Sequence, residues 1–304
     1  MKEQLKKIAY SLGLSYQALK LKEIYMKIFL SSDSVREKYI QKQFKEKVGY
    51  EIDFSKSPQT FNEKIQFRKL YDNNPLYSIC ADKYRVREYV KEKIGEEYLI
   101  PLLLETDKLT EEQWDKLPNQ FVAKANHNSG PVQIVKDKSK ANKKEIIKEL
   151  NNQLKLDYGI LSMEKFYSDI PRKIIVEQFL EDDIIDYKFM CFNGRVENCF
   201  ICLNRNTTGL NINFYDRDWK LLLFERHYPN SKKKISKPAL YEKMIEISEI
   251  LAKDFDFVRV DLYEVNNKIF FGELTFCPGS GLEEFTPEEW DYKIGKLWKQ
   301  KKLK

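Results

Sequence analysis

One stretch near the C-terminal end of the chain, residues 257–281, constrains the fold more than any other. It contains two runs of alternating β-branched and aromatic residues on either side of Asn266 and Asn267. Asparagine tolerates positive φ, so this pair predicts a tight turn between two antiparallel strands. A one-residue slip in the pairing would move every side chain to the opposite face of the sheet. The distribution of charges therefore selects the register.

The register that best separates charged from apolar side chains has a three-residue loop. It pairs Asp261 with Glu273. It also pairs Arg259 with Thr275. A two-residue loop would pair Glu273 with Val260 and scatter charge over both faces of the hairpin. In the selected register the opposite face is apolar and consists of Val260, Leu262, Phe270, Leu274 and Phe276.

This register brings together groups that could bind a metal ion. Two opposed carboxylates repel each other unless a cation lies between them. Asp261, Glu273 and a neutral oxygen of Thr275 would suit Mg²⁺, a hard ion that proteins hold with one or two carboxylates plus substrate phosphates. Arg259 on the same face adds donors for a phosphate or a developing oxyanion. The alternative interpretation is a half-exposed sheet whose acids are solvated.

The composition is that of a globular protein, and 304 residues can bury a core for one large domain or for two to three small ones. The net charge of +6 permits anionic partners such as nucleotides, acidic glycans or a membrane surface, and it does not require nucleic acid. Five cysteines, an odd number, argue against a disulfide framework. No apolar run has the length of a signal peptide or a membrane span. We therefore expect a cytoplasmic protein.

The N-terminal region, residues 1–56, is lysine-rich and carries apolar residues at helical spacing, such as Leu21, Ile24 and Ile28. This pattern predicts amphipathic helices and leaves two alternatives. Basic amphipathic helices can lie on an anionic membrane, which would place the protein at the inner membrane face. They can also pack on the main domain as a helical layer with a solvated basic face.

The C-terminal hairpin resembles a known family. Arg-x-Asp, a short hairpin, Glu-x-Asn/Thr and Pro-Gly are similar to the metal-binding end of the ATP-grasp superfamily. Residues 271–281, Phe-Gly-Glu-Leu-Thr-Phe-Cys-Pro-Gly-Ser-Gly, resemble its TupA-like branch from teichuronopeptide and capsular-polysaccharide biosynthesis. The resemblance covers residues 60–295 and implies an α+β protein with the ATP-grasp fold, in which two lobes of mostly antiparallel sheets with helices follow a helical N-terminal region.

The same resemblance implies the domain organisation. A helical or substrate region covers residues 1–118, a small nucleotide lobe covers residues 119–180, and a large lobe with the metal site covers residues 181–304. ATP and Mg²⁺ are the implied cofactors. We expect the nucleotide between the two lobes.

Several nucleotide contacts also follow from the resemblance. Lys124 corresponds to the lysine that reaches the α-phosphate. The polar loop after it, with His127, Ser129 and Gly130, is expected to cover the phosphates. The loop departs from the family at Asn128, where the branch usually has glycine.

Further contacts are implied on either side of this segment. Glu177 and the backbone of Gln178, Phe179 and Leu180 correspond to the hinge that reads the adenine. Lys83, in an Asp-Lys pair that precedes the nucleotide lobe, is expected to reach the phosphates.

The large lobe supplies the remaining candidates. Lys188, in an Asp-Tyr-Lys-Phe segment that precedes an Asn-Gly turn, is assigned to the triphosphate and to catalysis together with Arg259. Arg205 lies in a polar loop that could hold the acceptor.

The resemblance implies a carboxylate–amine ligase, which transfers the γ-phosphate of ATP to a carboxylate and lets an amine attack the acyl phosphate. The substrates would be a uronic acid or another component of a capsule or cell-wall glycan, and an amino acid or amine. One alternative is a metal-dependent glycosyltransferase, because Asp216 and Asp218 match the sequence of an Asp-x-Asp metal-binding motif. Two others are an ATP-grasp kinase that phosphorylates a sugar hydroxyl and a binding protein with an inactive ATP fold.

Overall fold

The computed structural model describes residues 15–203, 209–233 and 235–301, and Arg205 lies outside the described residues. The chain divides into two compact units. Unit 1 comprises the residues up to Arg36, Asp82–Tyr84 and Pro101–Phe179, and unit 2 comprises Glu37–Ala81, Arg85–Ile100 and the chain from Leu180 onward. The domain boundaries at residues 118 and 180 stay a prediction.

The helices of the described residues are mostly short. They are α1 (Ser15–Phe29), α2 (Asp33–Val48), α3 (Phe61–Tyr71), α4 (Leu76–Cys80), α5 (Val86–Ile94), α6 (Glu111–Lys116), α7 (Lys143–Gln153), α8 (Tyr158–Ser162), α9 (Tyr241–Ala252) and α10 (Glu289–Leu297). Helical turns of the 3₁₀ type cover Glu96–Tyr98, Lys165–Tyr167 and Pro278–Gly281. No helix in the described part of the chain is both long enough and apolar enough to span a bilayer.

The strands pair in antiparallel fashion. They are β1 (Leu102–Thr106), β2 (Phe121–Ala125), β3 (Gln133–Val135), β4 (Ile174–Gln178), β5 (Asp186–Phe192), β6 (Arg195–Leu203), β7 (Asn211–Asp216), β8 (Leu221–Leu222), β9 (Glu225–Arg226), β10 (Phe257–Val265), β11 (Lys268–Thr275) and β12 (Phe285–Thr286).

Unit 1 contains a sheet in the order β1-β4-β2-β3. One face of this sheet packs on α6 and α7, through a core that includes Trp114, Phe121 and Leu150. Unit 2 contains a sheet in the order β11-β10-β5-β6-β7-β8, and β9 pairs with β12. Helix α9 covers one face of the larger sheet with the buried side chains of Tyr241, Met244 and Leu251, which leaves the other face for the charged residues of β10.

Local sequence signals predict several boundaries correctly. Helix α3 begins after Thr60, whose side chain accepts the N–H of Glu63 at 3.1 Å while the Glu63 carboxylate accepts the N–H of Thr60 at 3.1 Å. Threonine at position 60 followed three residues later by Glu63 is the sequence signal that predicts this capping box, and the structure confirms it. The Asn193-Gly194 turn between β5 and β6 is also confirmed, with φ of 50° and 80°.

Two predicted boundaries are wrong. Residues 81–90, with an acid near the start and three cations on the early turns, predict a helix from residue 81. The helix begins only at Val86, because Asp82 uses its side chain to accept the N–H of Tyr84 in a turn. The sequence Tyr-Leu-Ile-Pro at residues 98–101 predicts a short strand that ends at the proline. The strand of this region is instead β1, which begins after Pro101. Proline has no N–H to give to a ladder, so pairing starts at the next residue.

The β10–β11 hairpin confirms the predicted pairing of its acids and corrects the loop. Asp261 pairs with Glu273. The turn itself has two residues, Asn266 and Asn267, with φ of 51° and 58°. The predicted and the observed register agree at the acids although the turn is one residue shorter than predicted. The reason is a β-bulge, which inserts one extra residue, Gly272, between the turn and the acids.

The bulge also changes which aromatic residue lies on the apolar face. Phe271, and not Phe270, pairs with Leu262. Phe271 is accordingly buried, whereas Phe270 is only partly buried.

A side chain at the bulge should destabilise the hairpin. A Cβ at Gly272 would lie 3.0 Å from the Tyr263 ring and 3.1 Å from the carbonyl oxygen of Asp261. Gly272→Val is therefore expected to lower the free energy of unfolding by about 1–3 kcal/mol in urea denaturation. Asn267→Gly is the control on the same hairpin, because glycine accepts positive φ, and it should change stability by less than about 0.5 kcal/mol. Equal stabilities of the two variants would contradict this account.

Candidate functional site

The charged face of the larger sheet is assembled from three neighbouring strands. Strand β10 supplies Arg259 and Asp261. Strand β11 places Glu273 opposite Asp261 on one side, and β5 places Lys188 opposite Asp261 on the other. The backbone register alone therefore brings two acids and two cations together.

The cation between the two opposed acids is a guanidinium group. Arg259 Nε donates to Asp261 Oδ1 at 2.6 Å. Its Nη2 donates to Asp261 Oδ2 at 2.7 Å and to Glu273 Oε1 at 2.8 Å. Lys188 Nζ donates to Asp261 Oδ2 and lies 2.5 Å from Asp186 Oδ2. Both oxygens of Asp261 thus accept hydrogen bonds from cations.

Burial strengthens these interactions. Asp261 is 1% exposed and Lys188 is 7% exposed. Burial raises the pKa of Asp261 to about 6, against the opposing attraction of Arg259 and Lys188. Burial alone would lower the pKa of Lys188, but the attraction of Asp261 outweighs it and the pKa is raised. The Glu273 side chain is 38% exposed, so it is the acid that solvent and solutes reach most easily.

Asp186 belongs to the same group and was not among the predicted site residues. Its Oδ2 pairs with Lys188, and its Oδ1 is buried with no hydrogen-bond partner among the described residues. A buried acceptor without a partner is costly, and a ligand can relieve that cost. The signal was present in the sequence, because Asp186 and Lys188 are two residues apart in one strand and share a face.

The oxygens of this group have the right chemistry for Mg²⁺. Asp261 and Glu273 are carboxylates, and the Thr275 hydroxyl lies beside them, donating to Glu273 Oε1 at 3.0 Å. Over the described residues, no group of three or more His, Cys, Asp or Glu side chains is arranged as a ready-made metal site. Arg259 and Lys188 occupy the oxygens of Asp261. A metal ion would have to replace at least one of these contacts.

Unit 1 contains a second acid–cation pair. Lys124 on β2 lies 2.7 Å from Glu177 on β4, and both side chains are largely buried. The two residues are diagonal neighbours, since Glu177 pairs with Val122. The sequence assigned these residues to different parts of the nucleotide, and the structure brings their charged ends into contact.

The segment predicted to contact adenine comes directly after Glu177 in the chain. Gln178 is the last residue of β4 and is exposed, and its N–H donates to the Pro101 carbonyl at 3.0 Å. Phe179 and Leu180 are half-buried and lie beyond the strand. The backbone groups of Gln178, Phe179 and Leu180 remain the predicted adenine contacts, although the N–H of Gln178 is already bonded to Pro101.

Lys83 lies close to the predicted phosphate loop within unit 1. Its N–H donates to the Asn126 carbonyl at 3.1 Å, and its Nζ donates to the carbonyl of Asn128. The preceding Asp82 is buried and accepts a hydrogen bond from the Asn126 side chain at 2.7 Å. The Asp-Lys pair therefore supports the start of this loop, and a phosphate role for Lys83 stays a prediction.

The loop itself is partly closed by its own side chains. Ser129 is exposed and Gly130 is half-buried, and a phosphate role for both residues stays a prediction. Asn128, where the family usually has glycine, is buried. Its Oδ1 accepts the N–H of Gly130 at 3.1 Å, and its Nδ2 donates to Gln153 at 3.1 Å. One backbone donor of the loop is thus already used.

Asp216 and Asp218 form a turn. Asp216 Oδ1 accepts the N–H groups of Asp218 at 2.9 Å and of Lys220 at 2.8 Å. A carboxylate used in this way stabilises the connection from β7 to β8, as Asp commonly does in turns. This geometry does not favour the glycosyltransferase alternative.

Comparison with known proteins identifies the family. The family model described as TupA-like ATPgrasp matches residues 63–299. The chain belongs to the TupA-like ATP-grasp family. The resemblance seen in the sequence and the predicted ATP-grasp fold with a helical N-terminal region are therefore confirmed.

Solved structures similar to this TupA-like protein are distant. D-alanine–D-alanine ligase from Bacillus anthracis in complex with ATP is 17% identical, with 72% of this chain and 63% of that chain covered and a TM-score of 0.40. The corresponding ligase from Helicobacter pylori is 18% identical, with 73% and 62% covered and a TM-score of 0.36. The ATP-grasp ligase PsnB, in complex with a phosphomimetic variant of its minimal precursor, Mg and ADP, is 8% identical, with 75% and 61% covered and a TM-score of 0.41.

The chain spans 61–63% of the length of these three structures. No curated protein matches it. The family assignment therefore rests on the family model.

His127 of this TupA-like protein lies in the interior, whereas we expected it on the open side of the phosphate loop. Its side chain is fully buried, and its Nε2 lies 3.2 Å from the Leu156 carbonyl, to which it can donate. Burial lowers the pKa of His127 to about 4, with Arg172 and Lys83 adding to the effect. The imidazole is thus neutral at pH 7 and fills the space beneath the loop.

This burial predicts a pH-dependent stability. The pKa of His127 is about 4 in the folded state against 6.5 as its ordinary value, so protons favour the unfolded chain and stability is lost as pH falls from 6.5 towards 4. The stability advantage of the wild type over His127→Gln should shrink by about 2 kcal/mol between pH 7 and pH 5. Urea denaturation at both pH values measures it. An unchanged difference would contradict a buried, neutral His127.

Proposed function

We propose that this TupA-like ATP-grasp protein is an ATP-dependent carboxylate–amine ligase that acts in capsule or cell-surface polysaccharide biosynthesis. One observation carries the proposal: Arg259, Asp261 and Glu273 lie together on one face of the β10–β11 hairpin with Lys188 beside them. This is the set of residues that the family resemblance assigns to metal binding and catalysis. ATP and Mg²⁺ are the proposed cofactors.

The proposed nucleotide role begins with an exchange of partners. Mg²⁺, when bound, would neutralise phosphate charge, and Asp261, Glu273 and Thr275 would hold it. The contacts that Arg259 and Lys188 make with Asp261 would then give way. Both cations would turn their donors towards anionic oxygens of the substrates, where charge-assisted hydrogen bonds are strongest. The side chains that compensate Asp261 before binding would thus become phosphate ligands.

The proposed reaction has two steps. A carboxylate oxygen attacks the γ-phosphorus of ATP, the bond from that phosphorus to the ADP oxygen breaks, and an acyl phosphate and ADP result. An amine then attacks the acyl carbon, phosphate leaves with the electrons of the C–O bond, and the proton that the amine nitrogen loses goes to the departing phosphate or to water. Arg259 would stabilise the oxyanion of this second step. Lys188 would stabilise the charge on the transferred phosphoryl group.

The proposed substrates are a uronic acid or another glycan component that carries a carboxylate, and an amino acid or amine. The family branch supports this choice, and the net charge of +6 is compatible with an acidic glycan. We propose that the reaction takes place in the cytoplasm, where ATP is available.

The reaction can be tested through its products. The purified protein is incubated with Mg-ATP, candidate sugar acids and amines, and the nucleotide and organic products are identified by mass spectrometry. ADP, phosphate and an amide support the ligase. ADP with a phosphorylated sugar would show a kinase instead, and UDP or CMP released from a nucleotide sugar would overturn the ATP-dependent reaction altogether.

Glu273→Gln tests the metal site with little risk to the fold. The side chain is 38% exposed, so stability should change by less than about 1 kcal/mol. Loss of a carboxylate ligand should lower the rate of Mg-dependent ADP formation by on the order of 100-fold or more. Glu264→Gln is the matched control, because Glu264 lies on the opposite face of β10. Equal activities of the two variants would argue against a catalytic metal at Glu273.

Lys124 can be tested through nucleotide affinity. Lys124→Gln removes a cation from the proposed α-phosphate contact, and the Kd for Mg-ATP should rise by about 10- to 100-fold. Lys124→Arg is the control, because it keeps a cation beside Glu177. Isothermal titration calorimetry measures both, and thermal unfolding checks that both variants are folded. An unchanged Kd for Lys124→Gln would remove Lys124 from the nucleotide site.

A further inference from the structure

Helix α1 carries an apolar face that points to solvent. Its members, which we call the apolar face of α1, recur at spacings of three and four residues, and their exposed fractions range from 46% to 69%: Leu21, Ile24, Tyr25, Ile28 and Phe29. Residues at this spacing lie on one side of a helix, and in surface helices that side normally packs on the core. In α1 this apolar side faces the solvent instead.

The orientation of α1 is fixed by specific contacts on its other side. Met26 is 2% exposed and Glu23 is 7% exposed. Glu23 accepts the N–H of Asp157 at 3.1 Å, and Lys20 donates to Glu23 at 2.9 Å and to the Lys155 carbonyl at 3.0 Å. These contacts hold α1 against the α8 region within unit 1. The helix cannot turn its apolar face inward without breaking them.

Lysines border the apolar face on both sides. With 100° of rotation per residue, Lys22 lies at one edge of the face, and Lys20 and Lys27 lie at the other. The single acid of the helix, Glu23, is on the buried side. An apolar face between basic edges complements a surface that is apolar inside and anionic at its boundary.

The size of the face argues for a lipid surface and against a second copy of the chain. Fifteen helical residues span about 22 Å, and a helix is about 10 Å wide, so the face covers on the order of 200 Å². A stable protein–protein interface needs about 800 Å² from each partner. An interfacial helix needs only its apolar face inserted among the lipids and basic residues near the anionic head groups.

We propose that α1 docks the protein on an anionic membrane surface. Leu21, Ile24 and Ile28 enter the boundary between head groups and acyl chains. Tyr25 and Phe29, whose rings lie 4.7 Å apart, add aromatic side chains, which favour this depth. Lys22 and Lys27 contact the anionic head groups, whereas Lys20 keeps its contacts with Glu23 and the Lys155 carbonyl. The docking does not depend on the proposed ligase reaction.

Vesicle binding tests the proposal with the full chain. The wild type should sediment with vesicles of 30 mol% phosphatidylglycerol in phosphatidylcholine, and much less with pure phosphatidylcholine. The double variant Leu21→Gln/Ile28→Gln should reduce the fraction bound at least tenfold. The matched control is Leu103→Gln/Ile134→Gln, which changes the same residue types at sites in unit 1 that are 40% and 58% exposed. This control should bind as the wild type does.

The basic edges are tested separately. Lys22→Gln/Lys27→Gln should remove the preference for phosphatidylglycerol and weaken the dependence of binding on NaCl. All variants change side chains that are already exposed, so circular dichroism should give the same thermal unfolding curve for each. Wild-type protein that fails to bind either kind of vesicle overturns the proposal, as does an equal loss of binding in the matched control. Analytical ultracentrifugation tests the alternative. If the wild type is a dimer that Leu21→Gln/Ile28→Gln dissociates, and neither protein binds vesicles, the apolar face of α1 contacts a second copy of the chain and the proposal is wrong.

Discussion

The site depends on one buried carboxylate, Asp261, which is held from two sides by Arg259 and Lys188. A buried acid without a partner would be strongly unfavourable, and each cation would be unfavourable without the acid. The three strands β5, β10 and β11 must therefore keep their register for any of these charges to be tolerated. The same interdependence keeps the charged groups in place before a ligand arrives.

A similar arrangement occurs in unit 1, where Lys124 and Glu177 compensate each other. In both units a lysine predicted to bind phosphate is paired with an acid from a neighbouring strand. Such pairing compensates the charge of a buried lysine without any ligand, and ligand binding then requires an exchange of ion pairs. An exchange changes the net interaction energy less than the new contacts alone would suggest, because the old contacts are lost.

The sequence predicted the family, the fold and the pairing of Asp261 with Glu273, because alternation of charged and apolar residues specifies which face of a strand is buried. It did not predict the length of the turn. The predicted loop was one residue too long and the bulge was not predicted, and these two errors offset each other in the pairing of Asp261 with Glu273. The bulge was missed because glycine can enter a strand as an extra residue without disturbing the alternation of apolar and polar side chains. The interior position of His127 was missed for a different reason: only the packing of α7 and α8 decides which side of that loop is covered. Asp186 could have been found from its spacing to Lys188.

The bulge at Gly272 separates the geometry of the hairpin tip from that of the acids. The ladder between Leu262 and the turn and the ladder beyond Asp261 meet at this single extra residue, so a change of turn type at Asn266 and Asn267 need not propagate to the end of the hairpin that carries Asp261 and Glu273. The exposed tip is thus a place where residues could be exchanged or a short peptide grafted while the bulge absorbs the altered twist. In related chains we expect the tip to vary in length and composition more freely than the five residues that follow Phe271.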